Sequence, residues 1–344
     1  MRLERQTGAR RAVVEAGSGR SGRHVRTWTA GLCAVGLLLA GVVGAWAQAT
    51  GRAGAGSTSE APPAEQKTLR ASDGWPIAVT YLPSPMGKDG AVVVLLHMKG
   101  SSSLVWLRGN GGFAKTLQGA GYAVVAVDLR KHGKSRPAGT GRRRRSARSA
   151  DQLLRVDYQA MVSRDLEAVK GFLYAEHQQQ HLNMRKLAIV AAEFSCPIAI
   201  NYTALDWSKP PYDDAPTPEA RTPRGQDVQA LVLLSPDLSC PGVTTVKALR
   251  MLRNLPVSVL ICVGAEDEKY VENAQQLYRL LGGSHRKVKR VYVNKLPGKL
   301  RGTDMLAKPQ LGVQKLILKF LDDRVKSLSG PRYDWRDRRS RLLK

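Results

Sequence analysis

The chain has 344 residues, with 54 Lys plus Arg against 28 Asp plus Glu, a formal net charge of +26. Hydrophobic residues make up 43%, enough for a packed core, so wholesale disorder is excluded, and the length allows one large domain or two small ones. The cysteines, Cys33, Cys196, Cys240 and Cys262, show no C-x-x-C spacing, which argues against a zinc ribbon or a disulfide-dense mini-protein.

Residues 1–26 hold Arg2, Arg5, Arg10, Arg11, Arg20, Arg23 and Arg26 against Glu4 and Glu15. An uncharged run, Thr27 to Ala47, follows and ends in the small-residue triplet Ala45-Trp46-Ala47. This is the pattern of an export signal. About 21 residues at ~1.5 Å each also suffice to span a bilayer, so residues 1–47 read as a cleaved signal peptide or as a membrane anchor. Either implies export to the cell envelope, periplasmic or membrane-anchored. Leu32 before Cys33 is not the small residue that a lipoprotein site requires. Residues 48–65 are rich in Ala, Gly, Ser and Pro and read as a flexible linker.

Without residues 1–47 the chain keeps a net charge of +21. Much of that excess lies in residues 130–148, with the run Arg142-Arg143-Arg144-Arg145, and in the basic tail, 329–344. These segments read as solvated charge or as attractors of anionic lipid or an acidic wall polymer. No aromatic residue interleaves the Arg run, so no nucleic-acid partner is expected.

Residues 66–328 remain for one folded domain. The segment TLRASDGWPIAVTYL pairs two extended runs around Asp73-Gly74, a hairpin signal. Nearly continuous apolar, β-branched runs then recur at 91–97, 122–129, 187–193, 230–236, 257–264 and 290–294, the pattern of strands covered on both faces. Helical patterns separate them at 104–117, 161–172, 196–202 and 271–281, and a closing helix is predicted at 311–321. The fold class is therefore α/β, a mostly parallel sheet flanked by helices with an antiparallel N-terminal hairpin.

In order along the chain come the Ser72-Asp73-Gly74 hairpin, a strand ending in His97-Met98-Lys99-Gly100, the stretch Asp128-Leu129-Arg130-Lys131-His132-Gly133-Lys134-Ser135, a strand running into Ala191-Ala192-Glu193-Phe194-Ser195, then Ala265-Glu266-Asp267, and finally Gly298 to Thr303. This series resembles the α/β-hydrolase superfamily of esterase-like serine hydrolases over about 260 residues, without the large lid of many lipases. The resemblance implies a nucleophile on a tight strand-to-helix turn whose flanking positions, two before and two after, are small, followed by an acid and a histidine. With Glu193 at the apex those positions are Ala191 and Ser195; with Ser195 there they would be Glu193 and Pro197. Glu193 thus falls on the nucleophile position, Asp267 on the acid position and Arg301 on that of the histidine. The backbone N–H groups of Phe194 and of Met98 or Lys99 correspond to the oxyanion hole.

An Arg guanidinium stays protonated at any relevant pH and cannot act as a base. A carboxylate nucleophile would still need an imidazole to activate water against its ester intermediate. The chain is therefore expected to be a catalytically inactive pseudo-hydrolase, exported or membrane-tethered, serving as a binding or scaffold module for an unknown ligand in its cleft. A guanidinium can bridge two carboxylates, so a Glu193–Arg301–Asp267 ion triad is expected in place of the catalytic one. The alternative is an ester or amide hydrolase that uses a residue such as Ser195. Cys196 and Cys240 fall at the same end of the sheet, and they pair if the compartment is oxidising; otherwise the thiols stay free and buried. His177 and His181, four apart on a predicted helix, read as a solvated face, and no metal or cofactor is expected.

Overall fold

The computed structural model describes residues 61–108, 112–137, 152–218, 220–283 and 289–343. The leader 1–47 with Cys33, the Arg142–Arg145 run, His285 and Lys344 lie outside these residues, as does most of the 48–65 linker. Among the described residues no helix is long and apolar enough to cross a membrane.

Strands β1 (Glu65–Arg70) and β2 (Pro76–Leu82) form the expected hairpin, turning at Gly74 with φ +79° and with Trp75 N–H donating to Asp73 Oδ1 at 3.2 Å. β3 (Val92–Leu96), β4 (Ala123–Val127), β5 (Leu187–Ala192), β6 (Val228–Leu234), β9 (Ser258–Gly264) and β10 (Val291–Leu296) complete an eight-stranded sheet in the order β1-β2-β4-β3-β5-β6-β9-β10. The β1–β2 and β2–β4 pairs are antiparallel and the others parallel. Two-residue strands β7 (Ser239–Cys240) and β8 (Val243–Thr244) make a separate small ladder.

The uninterrupted apolar character of the central strands has a direct cause: alternate residues enter opposite core layers. Val92, Val94 and Leu96 join one layer, and Val93 and Leu95 the other. The first layer is covered by α3 (Arg155–Ala160), α4 (Leu166–Gln178), α5 (Ser195–Ser208), α6 (Val246–Leu252) and α7 (Glu268–Leu280). The second is covered by α1 (Leu104–Leu107), α2 (Phe113–Gly119) and α8 (Val313–Leu321).

Three departures from the sequence reading have local causes. The helix expected over 104–117 is two, because Gly112 takes a left-handed conformation (φ +67°) immediately before α2. The helix expected at 161 begins earlier, at Arg155, where Asp157 Oδ2 accepts the Leu154 N–H at 2.7 Å, and it continues through a π-helical turn, Met161–Asp165, into α4. That turn carries Asp165, which binds the buried Arg130 through Nε and a second guanidinium nitrogen at 3.0 and 2.5 Å, while Asp73 holds the same guanidinium from the hairpin.

The third departure is the C-terminal tail, which is not a solvated appendage beyond residue 328. Arg338 is 3% exposed and ion-paired with Asp227. Lys170 reaches the same Asp227 at 2.9 Å and also pairs with Asp206, so two cations and two carboxylates neutralise one another inside the protein. Trp335 Nε1 donates to the His177 carbonyl at 2.9 Å, and His177 Nε2 donates to the Arg336 carbonyl at 2.9 Å. His177 is therefore fully buried against the tail, not on a solvated face; His181, past the helix end, pairs with Glu176 at 2.9 Å.

Candidate functional site

Glu193 is the apex between β5 and α5. Its φ is +51°, a left-handed conformation that costs a non-glycine residue about 1–2 kcal/mol. The turn closes because Ala191 and Ser195 are small and bonded on either side. Glu193 N–H donates to the Leu234 carbonyl at 2.9 Å, and Cys196 N–H donates to the Glu193 carbonyl at 3.0 Å.

Ser195 is sequestered. Its side chain is fully buried, and its Oγ accepts the Ala192 N–H at 2.9 Å and lies within donating reach of the Ala192 and Leu96 carbonyls at 2.9 and 3.2 Å. The hydroxyl braces the turn through backbone bonds alone among the described residues.

The loop after β10 folds over this apex. Gly302 N–H donates to Ser235 Oγ at 3.0 Å, and Ser235 itself has a left-handed backbone, φ +47°. Gly302 has φ +46°; a Cβ there would stand 3.1 Å from Met98 Sδ and 3.4 Å from Glu193 Cγ, so only glycine suits the position. The Met98 thioether, also 3.6 Å from Thr303 Oγ1, fills the space between β3 and this loop. Ser235 carries no sequence signal of this role, since a left-handed serine after a strand reads as an ordinary loop residue.

Arg301 leans away from Glu193. Its Nε donates to Asp267, the nearly buried residue that precedes α7, and its guanidinium lies 5.6 Å over the Tyr270 ring, with half the side chain exposed. Among the described residues the Glu193 carboxylate has no hydrogen-bond or ion-pair partner. The ion triad expected from the sequence is thus one pair, Arg301–Asp267, because the loop's Gly302 backbone, not the guanidinium, packs on the Glu193 side chain. Burial raises the Glu193 carboxyl above its ordinary value and nearby Asp237 adds to the effect, while Arg301 and Lys269 oppose it. Lys269 pairs with Asp237 at 2.8 Å and sits 4.5 Å over the Tyr270 ring. Asp237, Lys269 and Tyr270 thus complete the rim of the site, and no motif announced them.

The nearest imidazoles have other bonds. His97, fully buried, accepts the Leu129 N–H on Nε2 at 3.0 Å and donates from Nδ1 to the Met98 carbonyl at 2.8 Å. Burial pushes its pKa down to about 4, so it is neutral. His132 donates from Nδ1 to the Arg130 carbonyl at 2.9 Å, stacks on Phe194 with centroids 5.7 Å apart, and is likewise lowered by burial. The rest of the Asp128–Ser135 stretch is architecture. Asp128 accepts the N–H groups of Ser103 and Lys134 at 2.7 and 2.8 Å, and Ser135 Oγ ties the Asp128 carbonyl to the Ala78 N–H. At Gly133, with φ +49°, any Cβ would collide with the Asp128 carboxylate.

The N–H groups of Phe194 and Met98 enter no turn, loop or cap hydrogen bond among the described residues. Lys99 follows on an exposed turn. Cys196, Cys240 and Cys262 are free thiols, so the expected Cys196–Cys240 bridge is not formed. Cys196 is buried in the core with its Sγ at 4.0 Å from the Leu234 carbonyl, whereas Cys240 lies half-buried in the small β7–β8 ladder. Among the described residues no cluster of three or more His, Cys, Asp or Glu is placed to hold a metal ion.

No family model and no curated protein matches the sequence. Solved structures do share its architecture. A predicted CIB-like hydrolase from Thermoplasma acidophilum superposes with a TM-score of 0.50 at 12% identity, covering 76% of this chain and 99% of its own. An esterase from Pyrococcus furiosus superposes with a TM-score of 0.51 at 14% identity, covering 76% of this chain and 92% of its own. With this strand order, a left-handed apex after β5 and an acidic residue after β9, the chain has the α/β-hydrolase fold.

Proposed function

We propose that this protein is an α/β-hydrolase-fold binding module without serine-hydrolase chemistry, in which Glu193 and Arg301 stand at the positions of nucleophile and histidine. One observation carries the reading: the side chain that pairs with Asp267 is Arg301, which cannot act as a base. Arg301 is a permanent cation tied to Asp267, His97 spends Nε2 on the Leu129 N–H, and burial lowers the proton affinity of both His97 and His132, whose ring stacks on Phe194. Even if Glu193 attacked an acyl or alkyl centre as a carboxylate, nothing here would activate the water that releases the ester. The apex instead offers a half-buried carboxylate without a partner among the described residues, next in sequence to the Phe194 N–H, with Lys269, Tyr270 and Arg301 nearby. That lining suits a ligand with a hydrogen-bond donor facing Glu193.

The export and envelope location, with cleavage or anchoring through residues 1–47, rests on the leader's sequence pattern. Attraction of the Arg142–Arg145 run to anionic surfaces rests on its charge.

Incubation with a fluorophosphonate probe, together with a series of chromogenic acyl esters, tests the inactive reading. We expect no covalent labelling and no multiple turnover. Labelling at Ser195, or steady turnover abolished by Glu193→Gln, would overturn it.

A further inference from the structure

At the end of the sheet opposite the apex, the docked tail and residues 209–218 and 220–226 line a second feature, an open pocket of about 600 Å3. Its walls carry Lys209, Arg221, Arg224, Arg332 and Arg336, with prolines between them supplying rigid apolar surface. A neighbouring cavity of about 370 Å3 shares Lys209, Pro223 and Arg224. The helix α5 separates this region from Glu193, about 20 Å along its axis at ~1.5 Å per residue.

The charges on the wall are not balanced. Lys209 is neutralised by Glu167 at 2.5 Å and Arg221 by Asp213 at 2.7 Å. Arg224, Arg332 and Arg336 have no carboxylate within ion-pair distance among the described residues. They are nevertheless held in place. Arg224 lies 5.0 Å over the Tyr212 ring, Arg332 lies 5.0 Å over Trp207 and 5.7 Å over Tyr333, and Arg336 donates to the Arg221 carbonyl at 2.6 Å. Behind them the nearly buried Arg185 is bonded only to carbonyl oxygens, those of Asp334 at 2.6 Å and Pro331 at 2.9 Å. Burial and the neighbouring Arg336 and Arg338 lower its pKa to about 10. Asp214, whose Oδ1 accepts the Thr222 N–H at 2.8 Å, partly offsets the charge of Arg336.

Arg224 and Arg332, fixed by aromatic stacking and without an ion-pair partner among the described residues, stand at a ligand-sized space as a pre-organised oxyanion receptor. The planar fork of arginine matches phosphate oxygens two at a time. We infer that this cavity binds a compact multivalent phosphate group, a phosphomonoester or a diphosphate. The inference is independent of whether the Glu193 cleft is catalytic. The group arrives either on a soluble molecule or as a lipid headgroup, and the two are separable by experiment.

Inorganic diphosphate is titrated into the full chain by isothermal calorimetry, and sedimentation with phosphatidic acid vesicles is compared with phosphatidylcholine vesicles. We expect single-site diphosphate binding that weakens by about ten-fold or more in Arg332→Ala and in Arg224→Ala. Arg224 rests on the partly exposed Tyr212, so the melting curve of Arg224→Ala should match the parent. Arg332→Ala uncovers the buried Trp207 and should melt lower, so the loss of binding in Arg224→Ala is the decisive readout. Pro218→Trp, which fills the cavity without altering charge, should also block binding. Diphosphate binding without vesicle binding assigns a soluble ligand; pocket-dependent binding to phosphatidic acid vesicles assigns a headgroup. The inference is overturned if neither probe binds, if the pocket variants bind as the parent does, or if affinity is lost only when Arg142–Arg145 are changed to Gln.

Discussion

At Glu193 the backbone and the side chain answer to different constraints. The left-handed apex is imposed by the neighbours, Ala191 before it and the buried Ser195 after it, and it persists with a carboxylate there. The side chain is half-buried and finds no partner, so its ionised form is disfavoured in the folded protein. The linkage follows in sign. The folded pKa lies above the ordinary 4.5, so the carboxyl's contribution to stability falls as pH rises from that value through the folded pKa. Glu193→Gln, which mimics the protonated form, is expected to melt higher than the parent near pH ~7, with the difference closing below pH ~4. Thermal melts at both values check this. A variant that melts lower at neutral pH would mean that Glu193 pairs with Arg301 in solution. Glu193 could be placed at the apex from sequence because the small residues around the turn are a local, steric signature, whereas Asp267 and Arg301 are placed by the resemblance of their loops to the family's order. Which of them pair could not be read from sequence, because an arginine side chain can reach either carboxylate and the choice depends on how Gly302 packs.

Among the elements, the tail segment 329–343 behaves least as its composition suggests. Its basic residues lack an apolar period, and sequence alone reads them as solvated. Their partners are supplied from far away: Asp227 before β6, Gln178 at the end of α4, and the carbonyls of Pro223 and Arg221. Burial alone would raise the Asp227 carboxyl, but Arg338 and Lys170 together hold it below its ordinary value. Arg338→Ala would leave Asp227 and Asp206 sharing Lys170 in a buried site. Breaking a buried pair on one side costs about 3–5 kcal/mol. Urea unfolding should therefore show that loss in Arg338→Ala, and at least as large a loss on truncation after Leu328. An unchanged midpoint would mean that the tail is not docked in solution.

The buried Lys170–Asp206–Asp227–Arg338 cluster joins α4, α5, the residue before β6 and the tail, so the described sheet and tail are expected to unfold together. The fluorescence change specific to Trp335, taken as the difference from a Trp335→Phe variant, should follow urea with the same midpoint as far-ultraviolet circular dichroism. An earlier Trp335 transition would show the tail detaching first.

The sequence by itself determined the alternation of strands and helices, the hairpin and the apex at Glu193, and it places an arginine, Arg301, in the loop after the last strand. Each is written in short-range information: apolar period, turn residues and the chemistry of single side chains. Tertiary structure alone decided that Ser195 is a buried brace, that Arg301 serves Asp267 and leaves Glu193 unpaired, that Cys196 and Cys240 stay apart, and that the tail lines an open, arginine-rich pocket. Those outcomes depend on which distant charges and packing surfaces meet, and the free energy of such meetings is a small difference between desolvation and attraction that no local pattern encodes.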